Sequence, residues 1–176
     1  MLTPVLETER LILRPPAAGD EKPLFEAIFR DGDVCRYTGY SPHRDIGETE
    51  RFLRDELARI SRDDHYIWCY EKKTEGELVG FGGVMRSPVR GRFELGFFTA
   101  KRFWGRGYTL EAAEAMLRFA SETLGIREFT AKHAVGNTAS GWVLKALGFG
   151  FRRRTTITKL NGSRSFDALE YGLRIK

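Results

Sequence analysis

Between Lys101 and Tyr108 the chain places Arg102, Gly105, Arg106 and Gly107 in one short turn. Glycine has no Cβ, so two glycines one residue apart let the backbone turn sharply and approach a ligand closely. Arginine adds forked, charge-assisted hydrogen bonds to phosphate oxygens. Leu110, Ala113, Leu117, Ala120 and Leu124 then recur at steps of three and four, with Glu111, Glu114, Arg118 and Glu122 on the other face. That spacing predicts an amphipathic helix over Leu110–Leu124. A helix N-terminus presents unpaired N–H groups and about +0.5 of an elementary charge. A basic glycine turn feeding such a helix is a pyrophosphate cradle. The plainer alternative is a helix start that uses glycine only to turn.

Several other chemistries find no support. No Gly-x-x-x-x-Gly-Lys-Ser/Thr string is present, and the third glycine of a dinucleotide fingerprint is replaced by Leu110. Cys35 and Cys69 make no disulfide framework. With His43, His65 and His133 scattered singly, no metal-ligand spacing exists, so no metal is expected.

The elements that must position the turn can be read in order. Leu6–Arg14 reads as a strand ended by Pro15-Pro16, followed by a helix over Glu21–Phe29 that Asp20 caps and Asp31-Gly32-Asp33 breaks. Val34–Gly47 is irregular and carries Tyr37 and Tyr40, suited either to an acceptor pocket or to loop packing. Phe52, Leu53, Leu57 and Ile60 predict a helix over Glu48–Ile60. Strands follow at Tyr66–Glu71, Leu78–Met85 and Phe93–Thr99, joined by a Glu75-Gly76 hairpin and a turn over Ser87–Gly91. After the cradle helix come a strand at Glu128–Val135, a short helix at Ser140–Leu147 opened by Asn137, and a hairpin of Phe151–Leu160 with Ser165–Ile175 across Asn161-Gly162. The pattern predicts an α/β (α+β) fold, a mixed and mainly antiparallel sheet with helices on both faces.

At 176 residues, 41% hydrophobic and 30% charged, the chain is expected to form a single domain over 1–176. No apolar run approaches the roughly 18 residues of a membrane span, and residues 1–10 lack a signal-peptide core, so a cytoplasmic address and no membrane partner are expected. The net charge of +5 suits an anionic ligand. Basic residues are spread along the chain with acidic ones between them, densest at Arg152-Arg153-Arg154, so nucleic acid is the weaker partner.

Arg102-Phe-Trp-Gly105-Arg-Gly107-Tyr108 resembles the Arg/Gln-x-x-Gly-x-Gly/Ala signature of the GNAT N-acetyltransferases. The resemblance spans nearly the whole chain. Leu6–Arg14 with Pro15 and Asp20, Gly76–Gly83, Glu94–Phe97 with Phe103–Tyr108, and Asn137-x-x-Ser140 with Leu147-Gly-Phe149 are similar, in order, to segments of the subgroup that includes the bacterial ribosomal-protein alanine and serine N-acetyltransferases. Leu110 stands where that family often has Thr, Gly141-Trp142 where it has larger aliphatic and basic residues, and Lys145-Ala146 where it has Glu-Lys.

The resemblance implies acetyl-coenzyme A as co-substrate and a primary amine, of a protein N-terminus or a small molecule, as acceptor. Direct attack through a ternary complex is implied, without a covalent enzyme intermediate. The cofactor-binding set would be Phe97, Phe98 and Thr99 through backbone groups, Arg102, Trp104, Gly105, Arg106, Gly107 and Tyr108 in the cradle, and Asn137 on the pantetheine arm or as a helix cap. Glu94 would serve as general base, the alternative being a structural ion pair. Many members protonate the leaving thiolate with a Tyr at the position of Leu144, which cannot donate. Ser140 would take that role, its alternative being helix capping. His133 could reach the acceptor or pack within a strand, and Asp167 could orient a cationic acceptor or pair within its hairpin. A monomer or homodimer fits. A non-catalytic acyl-coenzyme A module and a basic nucleic-acid-binding domain are the rival readings.

Overall fold

A computed structural model describes residues 2–60, 62, 64–87 and 91–176. Eight strands form one sheet in the order β1-β2-β3-β4-β5-β6-β8-β7. They are β1 (Leu6–Glu7), β2 (Leu11–Arg14), β3 (His65–Lys72), β4 (Leu78–Arg86), β5 (Phe93–Thr99), β6 (Glu128–Ala134), β7 (Gly150–Thr158) and β8 (Ser165–Arg174). Every pairing is antiparallel except β5 with β6. The mixed, mainly antiparallel sheet read from the sequence is the one found.

Helices cover both faces, because each strand alternates its side chains across the sheet. Phe81 and Phe98, paired across β4 and β5, meet the rings of Phe29 and Phe52 on one face. That face carries α1 (Glu21–Leu24), which runs on into a π-turn (Phe25–Phe29), then α2 (Gly32–Cys35) and α3 (Ile46–Arg59). On the other face Tyr66 and Trp68 meet Phe119 of α4 (Tyr108–Glu122). The short α5 (Thr138–Ala146) lies beside α4, with Gly141 against His133 of β6.

Local details depart from the sequence reading. Leu6–Arg14 is not one strand but a hairpin of β1 and β2, because Thr8 turns back to Leu11, its N–H donating to the Leu11 carbonyl at 3.0 Å. The Glu21–Phe29 helix widens into a π-turn, which sends the adjacent Ile28 and Phe29 both into the core. Asp31 does more than break that helix. Its carboxylate accepts from the Asp33 and Val34 amides and starts α2 inside the segment expected to be irregular. The last hairpin does not turn on two residues, since Thr158 pairs Ser165 and Lys159 N–H still donates to Arg164 O at 2.8 Å. The turn expected over Ser87–Gly91 falls on residues 88–90, outside those described. Among the described residues no helix is long and apolar enough to cross a membrane.

The β1–β2 hairpin braces the cradle. Glu111, in the first turn of α4, accepts from Thr8 Oγ1, from the Arg10 amide at 2.8 Å and from Arg10 Nε at 2.7 Å. Arg10 also donates through Nη1 to the Arg106 carbonyl at 3.0 Å and lies 4.3 Å from the Tyr108 ring centroid. Burial pushes the Glu111 carboxyl up, but these hydrogen bonds outweigh it and hold the group below the usual carboxylate range. A lowered folded-state value adds stability above the unfolded carboxyl pKa of about 4.3 and loses it as pH falls through the folded value. Glu111→Gln should therefore cost about 1–3 kcal/mol at neutral pH and less in acid. Urea titrations at pH 7 and pH 3 measure both, and an equal cost at the two values would deny Glu111 its charge-dependent role.

Candidate active site

β5 and β6 are neighbours for only two residue pairs, Phe93–Phe129 and Glu94–Thr130. Beyond them the strands part. β5 stays paired with β4 from Arg86–Phe93 to Gly80–Thr99, and β6 with β8 from Glu128–Arg174 to Ala134–Ala168. The carbonyls of Phe93 and Thr99 lie on the β6 side, accepting from Thr130 Oγ1 and Trp104 Nε1. Strand alternation then aims the Phe97 N–H and C=O into the gap with no strand partner. An unpaired backbone pair inside a protein needs an acceptor and a donor from elsewhere.

A cavity of about 890 Å³ occupies this gap. Along β5 it is lined by Phe97, Phe98 and Thr99, and by the turn through Trp104, Gly105 and Gly107 to Thr109 and Leu110. Its third wall is Asn137, Ala139, Ser140, Trp142 and Val143 of α5. The fourth, from the opposite face of the sheet, is Asp33, Val34, Arg36, Tyr37 and Thr38. The cavity thus opens to both sides of the sheet.

The turn is built as a cradle. Gly105 and Gly107 sit at φ +73° and +80°, which side chains with a Cβ rarely adopt. Gly107 caps α4 without a side chain, and the first intrahelical bond is Glu111 N–H to Gly107 O. The amides before Glu111 therefore have no intrahelical acceptor. Thr99 Oγ1 and Thr109 Oγ1 meet at 2.7 Å, and Trp104 Nε1 donates to Thr99 O at 2.7 Å, so both ends of the turn are tied down.

The structure brings most of the expected site residues together. Phe97, Phe98, Thr99, Trp104, Gly105, Gly107, Asn137 and Ser140 all line the cavity. Asn137 caps α5, its Oδ1 accepting from Ser140 N–H at 3.2 Å, which leaves its amide nitrogen free among the described residues. The Ser140 hydroxyl is likewise free there. Leu144, at 1% exposure, belongs to the core rather than the cavity.

Other expected residues stand outside the lining. Arg102 pairs with Glu77 at 2.8 Å, Arg106 lies over Phe103, and Tyr108 packs edge-on against Phe103. Glu94 points to the face of α1–α3, 3.8 Å from Lys132. Between Glu94 and Phe98 on that face stands Gly96, where a Cβ would meet only Met85 Cε at 3.6 Å. His133 is buried, with Nδ1 2.8 Å from the Ala134 carbonyl, and is a packed strand histidine. Asp167 is exposed and makes no ion pair among the described residues.

Comparison with known proteins agrees with this geometry. The acetyltransferase (GNAT) domain model matches residues 10–150. The chain belongs to the GNAT acetyltransferase family. YkkB of Bacillus subtilis is 30% identical to this GNAT chain over 158 residues, 89% of this chain and 90% of its own. An acetyltransferase from Agrobacterium tumefaciens superposes with a TM-score of 0.79 at 27% identity, covering 99% of this chain and 96% of its own. RimL, a ribosomal alpha-N-protein acetyltransferase solved in complex with coenzyme A, shares the fold at a TM-score of 0.83 and 18% identity, covering 98% of each chain.

The GNAT family signature contains no sign of what fixes the α2 wall. Lys159, buried in the last hairpin, donates from Nζ to the carbonyls of Cys35 and Tyr40, each at 2.6 Å, and lies 5.5 Å from the Phe166 ring. Leu160 N–H adds a bond to Gly39 O at 2.7 Å. These contacts clamp residues 35–40 and so place Arg36, Tyr37 and Thr38. A lone lysine near a turn gives no sequence signal for this, and its partners are backbone atoms more than a hundred residues away. Lys159→Met removes the charged donor from the Cys35 and Tyr40 carbonyls, leaving them only the Thr38 amide and hydroxyl, and should cost about 1–3 kcal/mol of stability. If this wall receives one substrate and the cradle another, Lys159→Met should raise KM for the first in steady-state assays and leave KM for the second near wild type. Equal effects on both would mean that the clamp does not govern this wall specifically.

Proposed function

We propose that this protein transfers the acetyl group of acetyl-coenzyme A to a primary amine, of a protein N-terminus or a small molecule, by direct attack in a ternary complex. The observation that carries the reading is the cavity through the β5–β6 gap. On the α4–α5 face it has a run of free amides suited to a pyrophosphate, and on the α1–α3 face a separate wall at residues 33–38. One ligand can enter from each side and meet at the gap. RimL, a ribosomal alpha-N-protein acetyltransferase, holds coenzyme A in its solved structure, and that supports donor and acceptor class alike.

In this reading the amides of Gly105–Leu110 hold the pyrophosphate, with Arg102 and Arg106 swinging in from exposed positions. The free N–H and C=O of Phe97 take the pantetheine amides in the manner of an added strand. Asn137 can serve the pantetheine arm through its amide nitrogen while its oxygen caps α5. An amine with pKa near 10 is mostly protonated at neutral pH, so it must lose a proton before attack. Glu94 receives it through water lying over Gly96. As the carbon–nitrogen bond forms and the carbon–sulfur bond breaks, Ser140 Oγ hydrogen-bonds to the leaving thiolate, which becomes the thiol by taking the second proton that the attacking nitrogen releases. The cysteines do not suggest a covalent route. Burial pushes the Cys35 thiol up to about 11 and Cys69 higher still, whereas a nucleophilic thiol needs a lowered value.

Two measurements test the proposal. Acetyl-coenzyme A at about 100 times its Kd should add roughly 2.7 kcal/mol to unfolding of the wild type. Gly107→Trp, which fills the cradle, should lose that gain, and no gain in the wild type would refute the donor. Glu94→Gln and Ser140→Ala should each lower kcat by about 100-fold, with donor affinity little changed. Wild-type turnover in either variant would remove that residue from the mechanism.

A further inference from the structure

Trp142 is a large aromatic side chain left 63% exposed at the rim of the cavity. Among the described residues its ring has no aromatic or cationic partner and its indole N–H no acceptor. Trp104, on the opposite rim, differs in having its indole N–H committed to Thr99 O. An unpartnered indole beside an apolar cavity is a ready platform for a flat ligand.

Its position is fixed by packing. A Cβ on Gly141 would come within 2.8 Å of the His133 imidazole, so α5 lies closer to β6 than any other residue would allow. His133 is held in turn by the Ala134 carbonyl and by stacking on Tyr171, ring centroids 5.4 Å apart. Ala139, Trp142 and Val143 then form one stripe of the helix toward the cavity, at spacings of three and four. That stripe shares its face of the sheet with the first turn of α4. Residues 33–38 lie on the other face.

We propose that Trp142 stacks on the adenine base of acetyl-coenzyme A, an inference that rests on the donor assigned above. With the pyrophosphate on the α4 amides and pantetheine running inward along β5, the adenosine end must lie outward, toward the rim. Every base offers a π-face, so stacking on an indole needs no further polar contact. The Gly141-Trp142 pair acts as a unit: glycine lets the helix approach, and the next residue covers the base.

The test compares acetyl-coenzyme A with S-acetyl-4′-phosphopantetheine, which lacks the adenosine end. Calorimetric Kd values are measured for wild type, Trp142→Ala and Trp142→Phe. Trp142→Ala should weaken acetyl-coenzyme A on the order of tenfold and the truncated donor less than twofold, while Trp142→Phe should recover most of the loss. The ethenoadenine analogue of coenzyme A should have its fluorescence quenched when bound to wild type but not when bound to Trp142→Ala. Equal weakening of both donors, or no weakening of either, would overturn the stacking role and leave the donor assignment standing. A change confined to the acceptor KM would also overturn it. Wild type that binds neither donor would overturn the donor assignment and this inference together.

Discussion

The parting of β5 and β6 after Glu94–Thr130 is the constraint on which the rest of the molecule depends. Each strand is held in full register by its other neighbour, β5 by β4 and β6 by β8. Sheets twist by roughly 20–25° per strand, and two half-sheets that twist independently stay in contact only near one end of their shared edge. What would otherwise be an interior ladder becomes two facing edges. Such edges are costly when buried and dry, since their N–H and C=O groups lose water without gaining partners. The fold meets that cost by keeping the gap open as a cavity and supplying side-chain donors at its end, as Trp104 does for Thr99. The unpaired backbone that makes the gap unfavourable for an empty sheet is what suits it to an extended, amide-bearing ligand.

The cradle follows from the same break. A parallel connection from β5 to β6 requires a crossover, and α4 supplies it. The crossover helix must start where β5 ends, so its free amides arrive at the mouth of the gap by topology. Left-handed glycines at 105 and 107 allow the chain to reverse there, and the N-terminal hairpin holds the helix start through Glu111 and Arg10. The cradle therefore rests on residues from one end of the chain to the middle. None of the bracing residues needs to touch a ligand for its loss to be felt there.

Much of this was legible in the sequence, and what was legible was local. The period of Leu110–Leu124, the glycine turn and the alternating strands each act over a few residues, and the structure has them nearly as read. Helix starts shifted because caps lie outside the apolar period. Asp45 opens α3 at Ile46, and Gly107 opens α4 at Tyr108. The α2 helix was hidden in Asp31-Gly32-Asp33, which reads as a break, although Asp31 is a cap with its own two amides. Tyr37 and Tyr40 look alike in sequence, yet only Tyr37 lines the cavity. Tyr40 packs among Phe29, Phe52 and Phe98, and burial pushes its hydroxyl up to about 12. Nothing within a few residues of either tyrosine distinguishes them.

The two sides of the cavity are held by different sets of contacts. The cradle side is set by the stretch from β5 through the turn into α4, held within itself by Thr99 and Thr109 and from the N-terminal hairpin by Thr8 and Arg10. The wall at residues 33–38 is set by α2 and the segment after it, clamped from the last hairpin by Lys159 and Leu160. A change in the last hairpin can move the wall at Arg36–Thr38 without disturbing a backbone bond of the cradle. The two halves of the cavity therefore answer to different parts of the sequence, and a substitution on one side need not be compensated on the other.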